Sequence, residues 1–214
     1  MKDKKPAPPT LVLLVRHGLT PTTGVKLPGR ARGLHLSDEG RRQAEAAAAR
    51  IAKIPKVVAV YSSPLERARE TAGFIAKARN MAVRIERGLL ELDIGKWTGM
   101  ALKDAGSKPE WKAVQQHPSG FRFEGGESFT EMQARITGAI ARMVARHQGR
   151  IIVAVSHADP IKAVVAHALG TPLDLFQRIM IGTASITAIA YSPSGAAVLT
   201  VNSMDGDLAA LGIK

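Results

Sequence analysis

Two histidines occupy the same kind of position in this chain. His17 follows the apolar run Leu11–Val15 and Arg16, and Gly18 turns the chain after it. His157 follows the apolar run Ile151–Val155 and Ser156. Short continuous apolar runs read as strands buried on both faces. In a parallel sheet both tips point the same way, toward the edge where open α/β sheets hold ligands. If the strands are neighbours, the two imidazoles meet. Arg67 stands at a third strand-to-helix junction, and Glu91 follows a further short strand. Both can reach the same edge.

Two histidines, two arginines and a carboxyl narrow the chemistry. A serine nucleophile is disfavoured, because no Gly-x-Ser-x-Gly elbow is present. Zinc is disfavoured, because no His-x-x-x-His spacing exists and two arginines would repel a divalent cation. The arginines suit the oxygens of a phosphoryl group. A neutral imidazole is then the natural acceptor, and His17 reads as the nucleophile. Taken singly, the residues leave alternatives open. Each histidine fits a core side chain bonded to backbone. Arg67 fits a surface arginine paired with Glu66 or Glu70. Glu91 and Asp93, sharing one face of an extended segment, fit either a solvent-facing acidic edge or a carboxyl raised toward general-acid use by its apolar neighbours.

The elements that must hold these groups follow in order. Thr10–Val15 reads as a central strand. Residues 18–36 form a long loop in which Lys26, Arg30 and Arg32 make a lip for an anion. Ser37 caps a helix running to Ile54, and Pro55 stops it. Val57–Tyr61 is a strand. Ser63, Pro64 and Glu66 then predict a capping box for a helix reaching Arg79. Met81–Ile85 is a short strand. Residues 100–126 are irregular, with a short helix over 109–116. They read as a cap over the site whose underside carries Trp111, Phe121 and Phe123. A long amphipathic helix follows Glu127-Ser128, with Phe129, Met132, Ile136, Ile140 and Met143 as its core stripe. After the Ile151–Val155 strand, Pro160 opens a helix ending near Gly170, and Leu173–Ile181 is another. Ser185–Tyr191 and Ala196–Asn202 form a hairpin whose edge offers a surface for a homodimer.

Composition bounds the rest. The chain suits one domain over 10–214 with a cap insertion, preceded by a disordered leader at 1–9. Apolar runs fall short of the ~20 residues of a membrane helix. No secretory signal is visible, and a cytoplasmic location is expected. Cysteine is absent, which excludes disulfides and thiolate chemistry. The net charge of +12 favours anionic partners or simply solubility. With aromatics at 4% there is no basic–aromatic platform of the kind single-strand binders use, so nucleic acid is not the favoured partner.

The sequence resembles the histidine phosphatase superfamily, the phosphoglycerate-mutase-like proteins. Arg16-His17-Gly18 with Thr20 is similar to the family tripeptide. Leu36–Gly40 with Gln43-Ala44, Ser62–Arg67 through Thr71, Glu91–Gly99, Gly125–Ser128 and Ser156-His157 follow in family order. The resemblance implies a three-layer α/β/α sandwich with a mostly parallel central sheet and no metal or other cofactor. It implies His17 as phosphorylated nucleophile and Arg16, Arg67 and His157 as the phosphate pocket. Glu91 would be proton donor and then base for water. Thr23, Gly29 and Ala158 join Arg16 and Arg67 as substrate-binding positions. Thr23 stands where the family often has asparagine, and Thr98 where it often has glutamate, which bears on the substrate rather than on phosphoryl chemistry. A phosphatase acting on small phosphate monoesters is the favoured expectation. A phosphomutase and a non-catalytic phospholigand-binding module are the alternatives.

Overall fold

The computed structural model describes residues 8–208. Most of the expected leader thus lies outside the described residues; Pro8 and Pro9 are exposed.

Strand β1 (Thr10–Arg16) is followed by helix α1 (Asp38–Ala52), β2 (Val57–Ser62), α2 (Glu66–Ala78) and β3 (Val83–Ile85). Two short helices, α3 (Leu102–Gly106) and α4 (Trp111–Gln116), precede the long α5 (Phe129–Arg146). Then come β4 (Ile151–Ser156), α6 (Ala158–Leu169), β5 (Ile186–Ser192) and β6 (Gly195–Ser203). The strands form one six-stranded sheet in the order β3-β2-β4-β1-β5-β6. β3, β2, β4 and β1 run parallel, whereas β5 and β6 are antiparallel additions.

The layers follow from alternation along the strands. Leu11, Leu13 and Val15 of β1 pack with Ala47, Ile51, Ala72 and Ile75 of α1 and α2. Val12 and Leu14 pack on the other face with Met132, Ile136, Ile161 and Val165 of α5 and α6. Burial on both faces explains why β1 and β4 are apolar without interruption. Ser37 caps α1 by accepting the Gly40 N–H, and Ser128 with Glu131 forms a full capping box on α5. Among the described residues no helix is long and apolar enough to cross a membrane.

Three local expectations are corrected. α2 begins at Glu66 after Leu65, with no side-chain cap, so the Ser63 capping box does not form. α6 begins at Ala158 and Pro160 lies within its first turn, where a missing N–H costs nothing. The short helix expected over Leu173–Ile181 forms as a 3₁₀ helix and ends at Arg178.

Candidate active site

The register of the sheet brings the histidines together. Arg16 of β1 is level with Ser156 of β4, and the His17 N–H bonds the Ser156 carbonyl at 3.1 Å. The two rings then meet edge to face, with centroids 5.2 Å apart. β2 lies on the other side of β4, and its tip joins through the Ser63 N–H to the Val155 carbonyl, 3.0 Å. Three neighbouring parallel strands thus end at one place.

The turn after His17 is tight. A Cβ on Gly18 would lie 2.3 Å from the Gly40 carbonyl oxygen, so the backbone here touches the first turn of α1. The Gly18 N–H donates to Thr71 Oγ1 (3.1 Å), which itself donates to the Arg67 carbonyl (2.8 Å). These contacts fix the turn and the start of α2 as one unit.

His17 Nδ1 lies 2.8 Å from the Gly18 carbonyl. That oxygen only accepts, so Nδ1 carries the proton and Nε2 keeps its lone pair. Burial, then the charges of Arg67 and Arg16, push the His17 imidazole well below its ordinary range and keep it neutral. Arg67 is fully buried, against the surface-pair alternative. Its Nε donates to His17 Nε2 at 3.3 Å and its Nη2 to the Gly29 carbonyl at 2.8 Å. Gly29 has φ +48°, and a Cβ there would meet Ile94 Cγ1 at 2.7 Å; glycine lets the loop bring its carbonyl to Arg67. Arg16 Nη1 donates to the Ile181 carbonyl, 2.7 Å.

His157 is completely buried, and its Nε2 lies 2.8 Å from Ser63 Oγ. The Leu65 N–H approaches the same hydroxyl at 3.4 Å, and that hydroxyl can either donate to His157 Nε2 or accept from it. His157 Nδ1 faces Glu91 Oε2, 4.0 Å away. Burial, then Arg67 and His17, lower the His157 pKa well below its ordinary range. Glu91 is 15% exposed. Its Oε1 accepts the Leu92 N–H at 2.9 Å, so Oε2 is the oxygen turned to the histidines. Burial and then the charge of Asp159 raise Glu91 to about 7, against the pull of Arg67 and Arg16.

Among the described residues, the buried polar atoms at this edge without a hydrogen-bond partner include three nitrogens, Arg16 Nε, Arg67 Nη1 and His157 Nδ1, and Ser185 Oγ beside Arg16. The two guanidinium nitrogens carry N–H groups, and His157 Nδ1 does so when the Ser63 hydroxyl donates to Nε2. Buried donors are normally satisfied, and N–H groups of this kind can take the oxygens of an anion. Among the described residues no three His, Cys, Asp or Glu side chains gather as a metal would require.

Residues 12–204 match the model of the Histidine phosphatase superfamily (branch 1). The chain belongs to this superfamily. Phosphoserine phosphatase 1 of Hydrogenobacter thermophilus is 32% identical over 196 residues, covering 89% of this chain and 91% of that protein. A bifunctional protein of Mycobacterium tuberculosis is 30% identical over 201 residues, 94% of this chain, but the match spans only 55% of that longer protein. Among solved structures, mycobacterial glucosyl-3-phosphoglycerate phosphatase superposes with a TM-score of 0.80 at 26% identity, covering 90% of this chain and 98% of its own. That enzyme has also been solved with VO3 and with inorganic phosphate.

The remaining positions of this superfamily member fall as follows. The Ala158 N–H stands at the start of α6, among first-turn donors that lack intrahelical partners. Thr23 Oγ1 is engaged by Thr20, through the Thr20 N–H at 3.1 Å and its hydroxyl at 2.9 Å. Lys26 and Arg32 are exposed on the loop, but Arg30 is not a free lip residue: it turns inward to Asp93 and Glu127. Of the aromatic side chains of 100–126, Phe123 is buried between Trp97 and Phe129, whereas Trp111, stacked on Trp97, and Phe121 are half-buried. A cavity of about 180 Å³ remains between Trp97, Trp111, Gln115, Asp159 and Gln177, on the flank of Leu92. A larger groove of about 470 Å³, lined by Thr10, His167 and Tyr191, lies at the opposite end of β1 and contains none of these charged groups.

Sequence reasoning missed Ser63, Asp159 and Arg135. The spacing of Ser63, Pro64 and Glu66 reads as a helix cap and hides the contact with His157. Asp159 drew no attention in the first turn of α6, where an acid is ordinary. Arg135 lies on the polar side of α5 and carries no local signal.

Proposed function

We propose that this protein hydrolyses small phosphate monoesters, without a metal ion, through a phosphohistidine at His17. The observation that carries the reading is the set of unpartnered buried nitrogens, Arg16 Nε, Arg67 Nη1 and His157 Nδ1, beside a neutral imidazole. Guanidinium and imidazole N–H groups fit phosphoryl oxygens, and the Ala158 N–H at the start of α6 adds a helix N-terminus.

In the first step the lone pair of His17 Nε2 forms a bond to phosphorus as the bond to the alcohol oxygen breaks. Glu91 gives its proton to that oxygen. A carboxyl with a pKa of about 7 is protonated often enough near neutrality to do this. The Gly18 carbonyl accepts from Nδ1–H and so favours the positive charge that builds on the ring. In the second step Glu91, now a carboxylate, takes a proton from water. The water oxygen bonds to phosphorus, the P–N bond breaks, and Nε2 recovers its lone pair. Residues 100–126 form the cap that selects the alcohol, with the cavity beside Asp159 and Gln177 as its place.

Phosphate release from a panel of monoesters in EDTA, with wild type and His17→Ala compared, tests the reading. Release by wild type alone is expected. Release by neither redirects the assignment to a phosphomutase or a phospholigand-binding module.

A further inference from the structure

Glu91 lies in a stretch with no regular structure, between a 3₁₀ turn at Arg87–Leu89 and another at Gly95–Trp97. Neither a helix nor a sheet ladder sets its main chain. Two arginines from distant parts of the sequence do so instead. Arg30 Nε donates to the Glu91 carbonyl at 2.9 Å, and Arg135 Nη2 approaches the same oxygen at 3.3 Å. Arg135 Nη1 also donates to the carbonyls of Gly88 (2.8 Å) and Leu90 (2.9 Å).

Glu127 joins the two arginines. Its Oε1 accepts from Arg135 Nε at 2.8 Å and its Oε2 from Arg135 Nη2 at 2.9 Å. Arg30 Nη2 lies 2.8 Å from the same Oε2. The Glu127 carboxylate and N–H further bond the Asp93 N–H (3.2 Å) and carbonyl (2.8 Å). Burial alone would raise the Glu127 carboxyl; the hydrogen bond and charge of Arg135, with Asp93 and Arg30, hold it below its ordinary value and ionised. Paired guanidinium forks of this kind fix geometry as well as charge.

We propose that Arg30 and Arg135, linked through Glu127, are positioning residues that fix the Glu91 main chain and thereby aim its carboxyl at the departing oxygen. This rests on the proton-donor reading of Glu91. General acids act only from a narrow range of positions, so loosening this clamp weakens proton delivery and leaves the phosphate pocket in place.

The test compares kcat/KM for phenyl phosphate and p-nitrophenyl phosphate in Arg30→Lys and Arg135→Lys. kcat/KM reports the steps through departure of the alcohol. Phenolate needs a proton to leave, whereas the more acidic p-nitrophenol departs as its anion. Each variant is expected to lose about tenfold to a hundredfold on phenyl phosphate and less than about threefold on p-nitrophenyl phosphate. Equal losses on both substrates, or none on either, overturn the clamp. Glu91→Gln is the reference. Selective loss in Glu91→Gln without selective loss in the lysine variants removes the clamp alone. Equal loss in Glu91→Gln withdraws the proton-donor reading and the clamp with it. Arg30 sits on a loop, so Arg30→Lys carries the test should Arg135→Lys fail to fold.

Discussion

Ser63 Oγ lies 2.8 Å from His157 Nε2, both groups fully buried at the tips of adjacent strands. When the hydroxyl donates to Nε2, the ring proton stands on Nδ1 and faces the site. Ser63→Ala leaves a buried imidazole nitrogen unsatisfied, which costs about 1–3 kcal/mol. Urea unfolding is expected to register that loss, and titration with inorganic phosphate a weakened affinity. Unchanged phosphate affinity in a folded Ser63→Ala protein contradicts the orienting role.

Among the described residues, Arg67 is the largest side chain that is fully buried. Arg67→Met leaves the Gly29 carbonyl and His17 Nε2 without their buried donor, and each group left unsatisfied costs about 1–3 kcal/mol. Arg67→Met is therefore expected to unfold at a lower temperature than wild type when no phosphate is present. Saturating phosphate should raise the wild-type midpoint, in line with about 2.7 kcal/mol at a hundred times Kd. The variant should lose that rise, and an equal rise in both proteins removes Arg67 from the phosphate pocket.

Glu91 gives a pH signature of defined sign. Its pKa rises on folding from an ordinary 4.5 to about 7. Between these values the folded state binds more protons than the unfolded, so this group's contribution to stability falls as pH rises. The buried histidines act in the opposite sense, since their depressed pKa values cost stability as pH falls through 6.5. The difference between wild type and Glu91→Gln isolates the carboxyl. Wild type is expected to lose stability relative to the variant from pH 5 to pH 7, roughly the span between those pKa values. Its kcat/KM for phenyl phosphate should also fall as pH rises through about 7, a limb the variant lacks.

Gly18 is constrained by contact rather than by torsion. Gly18→Ala sets a Cβ 2.3 Å from the Gly40 oxygen, which is main chain and cannot swing aside. Overpacking of this kind costs about 1–3 kcal/mol. Chemical denaturation of Gly18→Ala should show it, with activity falling alongside because His17 moves with its turn.

Much of this site was legible in the sequence because strand tips announce themselves. An uninterrupted apolar run ending in a polar residue fixes both a strand and the edge it reaches, and His17 and His157 were placed together on that basis. Arg67 was ambiguous because i,i+1 and i,i+3 acids supply an equally good surface explanation; only its burial decides. Ser63 was misassigned because the same hydroxyl that suits a helix cap also suits an imidazole, and local spacing cannot tell them apart. The Arg30–Glu127–Arg135 network was invisible for a simpler reason. Its members are separated by 97 and 8 positions, and its main acceptors are backbone carbonyls, which leave no mark in side-chain patterns.

The most direct test is to find the covalent intermediate. Wild type and His17→Ala would be mixed with phosphate-labelled p-nitrophenyl phosphate, quenched within milliseconds under alkaline conditions that preserve phosphohistidine, and mapped by mass spectrometry. A label on His17 in wild type, and none in His17→Ala, is the predicted result. A label on another residue, or one that survives in His17→Ala, contradicts the assignment of His17 as the nucleophile.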